Sequence, residues 1–125
     1  MKDILLAEDD RFLRRACETK LRQRGFDVRV AVDGQEVLAL VRERVPDLLL
    51  LDLLMPKLDG LGVLEALRAD QSTRACRVVI LSNSSRELEV QKASDLGVLD
   101  YWIKSNLSLQ EICERVERLT TEPPA

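Results

Sequence analysis

Four consecutive leucines followed by an aspartate, Leu48-Leu49-Leu50-Leu51-Asp52, restrict this chain more than any other stretch of it. A strand with no polar face must be covered on both sides. That points to a parallel sheet sandwiched between helices rather than a hairpin with one wet face. Asp52 stands where the run ends. An ionised carboxylate in apolar surroundings is costly unless hydrogen bonds, a counter-charge or a metal hold it. Either Asp52 escapes at the strand end, or the rest of the chain brings it a partner.

Short apolar runs alternate with helical patterns along the chain. Ile4–Ala7, Val28–Val32, Asp47–Asp52, Val78–Leu81 and Tyr101–Ile103 are expected strands, too short for helices and rich in aliphatic or branched residues. Between them, residues 11–24, 34–44, 61–69, 86–96 and 109–119 repeat apolar positions at helical spacing, as in Leu13, Cys17 and Leu21. Asp33-x-x-Glu36, Ser84-x-x-Glu87 and Ser108-x-x-Glu111 fit the capping box, in which each side chain satisfies a free N–H at the other end. Asp10 fits a helix start favoured by the dipole. Leu107 is placed to staple onto Ile112, and Gly25 and Gly97 stand where helices should end. Strands alternating with helices predict a parallel α/β sheet, and right-handed crossovers make it doubly wound. In such sheets ligands bind beyond the C-terminal ends of the strands. A chain of 125 residues is expected to form a single domain, here residues 1–120, with 121–125 as a tail or the start of a linker.

Composition removes several functions. The formal net charge of −3 gives no basic surface for nucleic acid. No apolar stretch approaches membrane-spanning length, and the acid right after Lys2 argues against a signal peptide. Cys17, Cys76 and Cys113 are scattered, which fits packing thiols in a reducing cytoplasm. Without histidine, a zinc site and Ser-His or Cys-His catalysis are not expected. Any phosphohistidine chemistry would use another chain.

The predicted strand ends gather chemistry. They carry Glu8-Asp9-Asp10, then Asp52, then Ser82-Asn83-Ser84, then Lys104-Ser105-Asn106, all opening on one edge of the sheet. Taken singly, each has an ordinary reading: a turn former or helix cap, a satisfied hydroxyl, a surface lysine. Together they bring carboxylates close enough to repel unless a cation intervenes. Oxygen ligands of this kind suit Mg²⁺, which accepts one or two carboxylates and keeps several waters.

The stretches ILLAEDDRFLRR, PDLLLLDLLMPKLDG, VVILSNSS and DYWIKS, in this order and spacing, resemble the response-regulator receiver domain of two-component signalling, the CheY-like superfamily. The resemblance implies a five-stranded flavodoxin-like sheet in the order 2-1-3-4-5. It also implies a phosphorylation-dependent switch, not an enzyme beyond its own phosphoryl transfer and dephosphorylation. Asp52 would be the phosphoacceptor. Glu8, Asp9, Asp52 and the Leu54 backbone carbonyl would hold Mg²⁺. Lys104 and Ser82 would engage the phosphoryl oxygens, and Ser82 with Tyr101 would form the switch. The implied partners are a histidine kinase or histidine phosphotransfer protein and a downstream target or fused output domain, with no nucleic-acid or membrane binding by this domain, in the cytoplasm.

Where the family usually has proline, Ser105 follows Lys104. A cis bond there would cost about 2.5–4 kcal/mol, so a trans peptide is expected. The basic residues of the first helix fit a solvated face or a docking surface for an acidic partner, and Trp102 fits a core slot. Two rival readings compete with the switch. One is a binding module that keeps the fold but works without phosphorylation. The other is an aspartyl phosphatase of the haloacid dehalogenase type, which wants a second aspartate where Leu54 stands.

Overall fold

A computed structural model of the chain describes residues 2–121. Its strands are β1 (Asp3–Ala7), β2 (Asp27–Ala31), β3 (Leu48–Leu51), β4 (Val78–Ser82) and β5 (Asp100–Ile103). They alternate with α1 (Arg11–Gln23), α2 (Gly34–Glu43), α3 (Gly60–Ala69), α4 (Glu87–Asp95) and α5 (Leu109–Thr121). All strand pairs are parallel, in the order β2-β1-β3-β4-β5. This is the expected doubly wound sheet.

The leucine run shows how the sheet is buried. Leu48 and Leu50 face the layer formed by α1 and α5, packing near Cys17, Leu21, Ile112, Cys113 and Val116. Leu49 and Leu51 face α2, α3 and α4, near Val37, Val41, Val63, Leu67 and Ala93. Strand periodicity of two thus gives each layer half of every strand, and all four leucines are fully buried. Trp102 fills a core slot as expected, with its indole N–H donating to Asp100 at 2.9 Å and Arg115 over its ring. The three cysteines are buried free thiols. Burial lifts Cys17 to about 12 and Cys76 to about 11, which keeps them protonated packing groups.

Local chemistry sets most helix limits. Asp10 caps α1 by accepting from Phe12 and Leu13 N–H, and Asp33 caps α2 through Glu36 N–H at 2.8 Å. At α5 the capping box closes in both directions, Ser108 N–H to Glu111 and Glu111 N–H to Ser108. Leu107 packs in the same cluster as Ile112. Gly25 and Gly97 take the left-handed backbone, at φ +91° and +77°, that ends α1 and α4. Thr121, expected in the tail, belongs to α5; the rest of the expected tail, residues 122–125, lies outside the described residues.

The expected cap of α4 is wrong. Its N-cap is Arg86, with no side-chain bond, and Ser84 lies outside the helix. An N-cap residue gives its carbonyl to the N–H four residues on. Here Val90 N–H goes to the Arg86 carbonyl, while the Ser84 carbonyl is taken by the Tyr101 hydroxyl at 2.6 Å. A long-range phenol displaces the local cap. The other end of α4 is firmly tied, since the Arg68 guanidinium donates to the carbonyls of Leu96, Gly97, Arg74 and Cys76.

Candidate functional site

β1, β3, β4 and β5 end together, β1 delivering two expected groups and the others one each. Glu8 follows β1 and is 1% exposed, while Asp9 beside it is exposed. Asp52 follows β3 and is 4% exposed. Ser82 closes β4 fully buried, and Lys104 follows β5. One carboxylate oxygen from each of Glu8, Asp9 and Asp52 lies within 4.8 Å of the others. The Lys104 ammonium donates to Asp52 Oδ2 at 2.9 Å and is ion-paired with Glu8. The Leu54 N–H donates to Asp52 Oδ1 at 3.2 Å.

These groups are held by backbone. Glu8 Oε2 accepts from Asp10 N–H at 3.0 Å, and the Glu8 N–H joins the β2 ladder through the Ala31 carbonyl. Asp52 N–H donates to the Ala7 carbonyl, so the phosphoacceptor candidate is anchored to the strand that presents the acidic pair. Arg14 Nη1 donates to the carbonyls of Glu8 and Asp9 at 3.0 and 3.3 Å. In sequence Arg14 was one charge among many on α1, and nothing local marks it as the brace of the acidic loop. Gly60 was also missed. A Cβ there would lie 2.5 Å from the Asp52 carbonyl oxygen, so only glycine lets α3 start this close to Asp52.

The electrostatics are those of a site short of positive charge. Burial pushes the Glu8 carboxyl up to about 7, against the opposing Lys104 ammonium and Asp10 N–H, and with the Asp52 charge adding to the rise. Burial disfavours the Lys104 ammonium, but its contacts with Glu8 and Asp52 outweigh this and leave it above the usual ammonium range. Glu8 Oε1 is buried against the Lys104 ammonium. Three carboxylate oxygens within 4.8 Å of one another, with one ammonium on two of the acids, fit a divalent cation such as Mg²⁺, which takes oxygen ligands.

Ser82 and Tyr101 are brought to the same loop. Ser82 Oγ accepts from Ser84 N–H at 3.2 Å, and Tyr101 reaches the Ser84 carbonyl from β5. The ring is half-buried and already engaged with the β4–α4 loop. Lys104–Asn106 form a single 3-10 turn, and every described peptide bond is trans, the Lys104–Ser105 bond included.

Residues 4–117 match the sequence profile of the response regulator receiver domain. The chain belongs to this family. Over 101 residues, 81% of the chain, it is 39% identical to the probable transcriptional regulator ycf27 of Porphyridium aerugineum, of which it covers 41%. The chain spans about half or less of the length of the curated relatives it matches. The Mn²⁺-bound form of response regulator Rcp1 superposes with a TM-score of 0.86 at 29% identity, with both chains fully covered. The phosphorylated cyanobacterial phytochrome response regulator RcpA gives 0.80 at 32% identity, covering 94% of this receiver and 90% of that chain. Rcp1 is described with Mn²⁺ bound, and RpaA of Synechocystis sp., 34% identical over 119 residues, 95% of the chain and 49% of RpaA, is a DNA-binding transcriptional regulator.

Proposed function

We propose that this receiver accepts a phosphoryl group on Asp52 and that the resulting charge changes its partner-binding face. The observation that carries this reading is the placement of Asp52. It is buried at the end of β3, bonded to Lys104, and within reach of Glu8 and Asp9. A carboxylate oxygen of Asp52 attacks phosphorus in line. The bond from phosphorus to the donor atom breaks as the new P–O bond forms, and the donor leaves with the electron pair and takes up a proton. Charge spread over the equatorial oxygens needs cations. Lys104 is one, held within hydrogen-bond reach of Asp52. Glu8, Asp9, Asp52 and the Leu54 carbonyl would hold Mg²⁺, which when bound supplies the rest of the positive charge. The Mn²⁺-bound and phosphorylated relatives support both parts of the reading.

Ser82 would turn its hydroxyl to the new phosphoryl oxygens and release Ser84 N–H. Because Tyr101 already holds the Ser84 carbonyl, the signal passes through that carbonyl to the uncapped start of α4. The face of α4, β5 and α5 responds, and α2 does not. The ligand biases this equilibrium only through contacts that differ between the two states, here the Ser82 and Lys104 bonds to phosphate.

The donor is a phosphohistidine on a histidine kinase or histidine phosphotransfer protein, in the cytoplasm. Beside the site, Phe12 is 86% exposed and Leu54 66% exposed, with Arg11 and Arg15 on the same turn of α1 as Phe12. This apolar and basic rim suits docking of such a partner. Residues 1–120 serve as the receiver of a regulator whose target, or a fused output domain, reads the changed face.

The test is incubation with a small phosphodonor and Mg²⁺ followed by intact-mass measurement. One acid-stable, base-labile phosphoryl adduct is expected, lost in Asp52→Ala. An adduct that persists in Asp52→Ala removes the assignment, and no adduct in the wild type points to the phosphorylation-independent binding module instead.

A further inference from the structure

Asn83 and Ser105 are linked across the mouth of the site, and nothing in the phosphoacceptor reading uses them. The Ser105 N–H donates to Asn83 Oδ1 at 3.1 Å. β4 and β5 pair in register up to Ser82 and Ile103, so the chain segments carrying Asn83 and Ser105 leave the sheet side by side. Ser105 holds the second position of the 3-10 turn Lys104–Asn106, where an N–H has no partner within the turn. The Asn83 side chain supplies the missing acceptor. A proline at 105 would have no N–H to give, so the two residues make sense only as a pair.

Resting on the phosphoacceptor reading above, we infer that Asn83 is a positioning residue for Lys104: through the Ser105 N–H it fixes the turn that starts at the lysine, and so sets the ammonium opposite Asp52. Lys104 is long and carries four rotatable side-chain bonds, so its aim depends on a fixed backbone. Asn83 follows Ser82 directly. The same link therefore moves the lysine turn and the hydroxyl of β4 as one unit rather than as two loops.

The experiment uses the full chain as wild type, Asn83→Leu, Ser105→Pro and the double variant. Amide exchange in the metal-free, unphosphorylated protein tests the link itself, and exchange at Ser105 is expected to rise about tenfold in Asn83→Leu. The rate of acyl-phosphate formation at saturating Mg²⁺ and small phosphodonor tests the role. Each single variant is expected to react about threefold to tenfold more slowly, with unchanged Mg²⁺ affinity, and the double no more slowly than Ser105→Pro alone. A purely structural loss would lower Mg²⁺ affinity along with the rate. Wild-type exchange at Ser105 in Asn83→Leu, a wild-type rate in that variant, or a double variant as slow as the product of the two singles would each overturn the inference. Should Ser105→Pro fail to fold, the exchange and rate of Asn83→Leu decide it. A wild type that forms no adduct at all removes the phosphoacceptor reading, and the exchange experiment still decides the link.

Discussion

Buried acids stand at both ends of this sheet, and they are treated in opposite ways. At the N-terminal end, Asp3 opens β1 and is 8% exposed. Arg29 donates to both its oxygens, at 3.3 and 2.9 Å, and Arg44 adds a third bond at 3.2 Å. Its own N–H is taken by Asp47 at 2.7 Å. At the C-terminal end, the Lys104 ammonium pairs with two buried acids, Glu8 and Asp52, and the Asp9 carboxylate lies within 4.8 Å of both. Two arginines meet the one buried acid Asp3, Arg44 also reaches Asp27, and together they make a fixed joint between β1, β2 and the end of α2. One lysine beside three acids leaves negative charge that a divalent cation would balance. The lesson is that a buried acid reads as structure or as function only once its partners are counted.

The largest expected effect that separates the two ends is on folding. Asp3→Asn leaves Arg29 without its carboxylate and Arg44 with Asp27 alone, and should cost about 3 kcal/mol in urea unfolding. Asp52→Asn should stay within about 1 kcal/mol of wild type, since losing the Lys104 bond is offset by losing a repelling charge. Equal destabilisation by the two substitutions would break the comparison.

The next effect is on the cation. A hundredfold excess of Mg²⁺ over its dissociation constant should stabilise the wild type by about 2.7 kcal/mol. Asp9→Asn should bind Mg²⁺ at least tenfold more weakly by calorimetry and so lose about half or more of that increment. Arg44→Ala, at the other end of the sheet, should keep the increment in full although it lowers stability. An Asp9→Asn protein with wild-type Mg²⁺ affinity would place the cation elsewhere.

The smallest effect is on pH dependence, and its sign is definite. Folded Glu8 holds its proton up to about pH 7, whereas the unfolded chain releases it near 4.5. Its contribution to stability is therefore full below pH 4.5 and is lost as pH rises through 7. The melting temperature of the metal-free wild type should fall, relative to Glu8→Gln, between pH 5 and pH 7.5. Saturating Mg²⁺ should flatten the difference, because a bound cation favours the ionised carboxylate. A wild type that instead gains on Glu8→Gln with rising pH would show that Lys104 alone already satisfies Glu8.

Much of this arrangement was legible in the residues themselves. Every strand and helix lies within about two residues of its expected limits, because most limits are set by a local property: a run of aliphatic residues, a cap, or a glycine with positive φ. The convergence of Glu8, Asp9, Asp52, Ser82 and Lys104 followed from topology alone, since parallel strands open on one edge. Asp10 as a cap and Ser108 with Glu111 as a closed box also needed nothing beyond their neighbours.

What the tertiary structure decided is where one group has several possible partners. Ser84 carries the local signature of a helix cap, but the Tyr101 hydroxyl, 17 residues away in sequence, takes its carbonyl and α4 starts later. Arg14, Arg29 and Arg68 look like surface charge in sequence, yet each guanidinium is spent on carbonyls or acids that only folding brings near. The need for glycine at 60 comes from the Asp52 backbone, on the far side of a loop. Sequence fixes local conformational preference and the face each side chain presents. Which donor meets which acceptor across elements is a competition settled by packing, and in this receiver that competition places the Ser82–Tyr101 loop and the Asn83–Ser105 link.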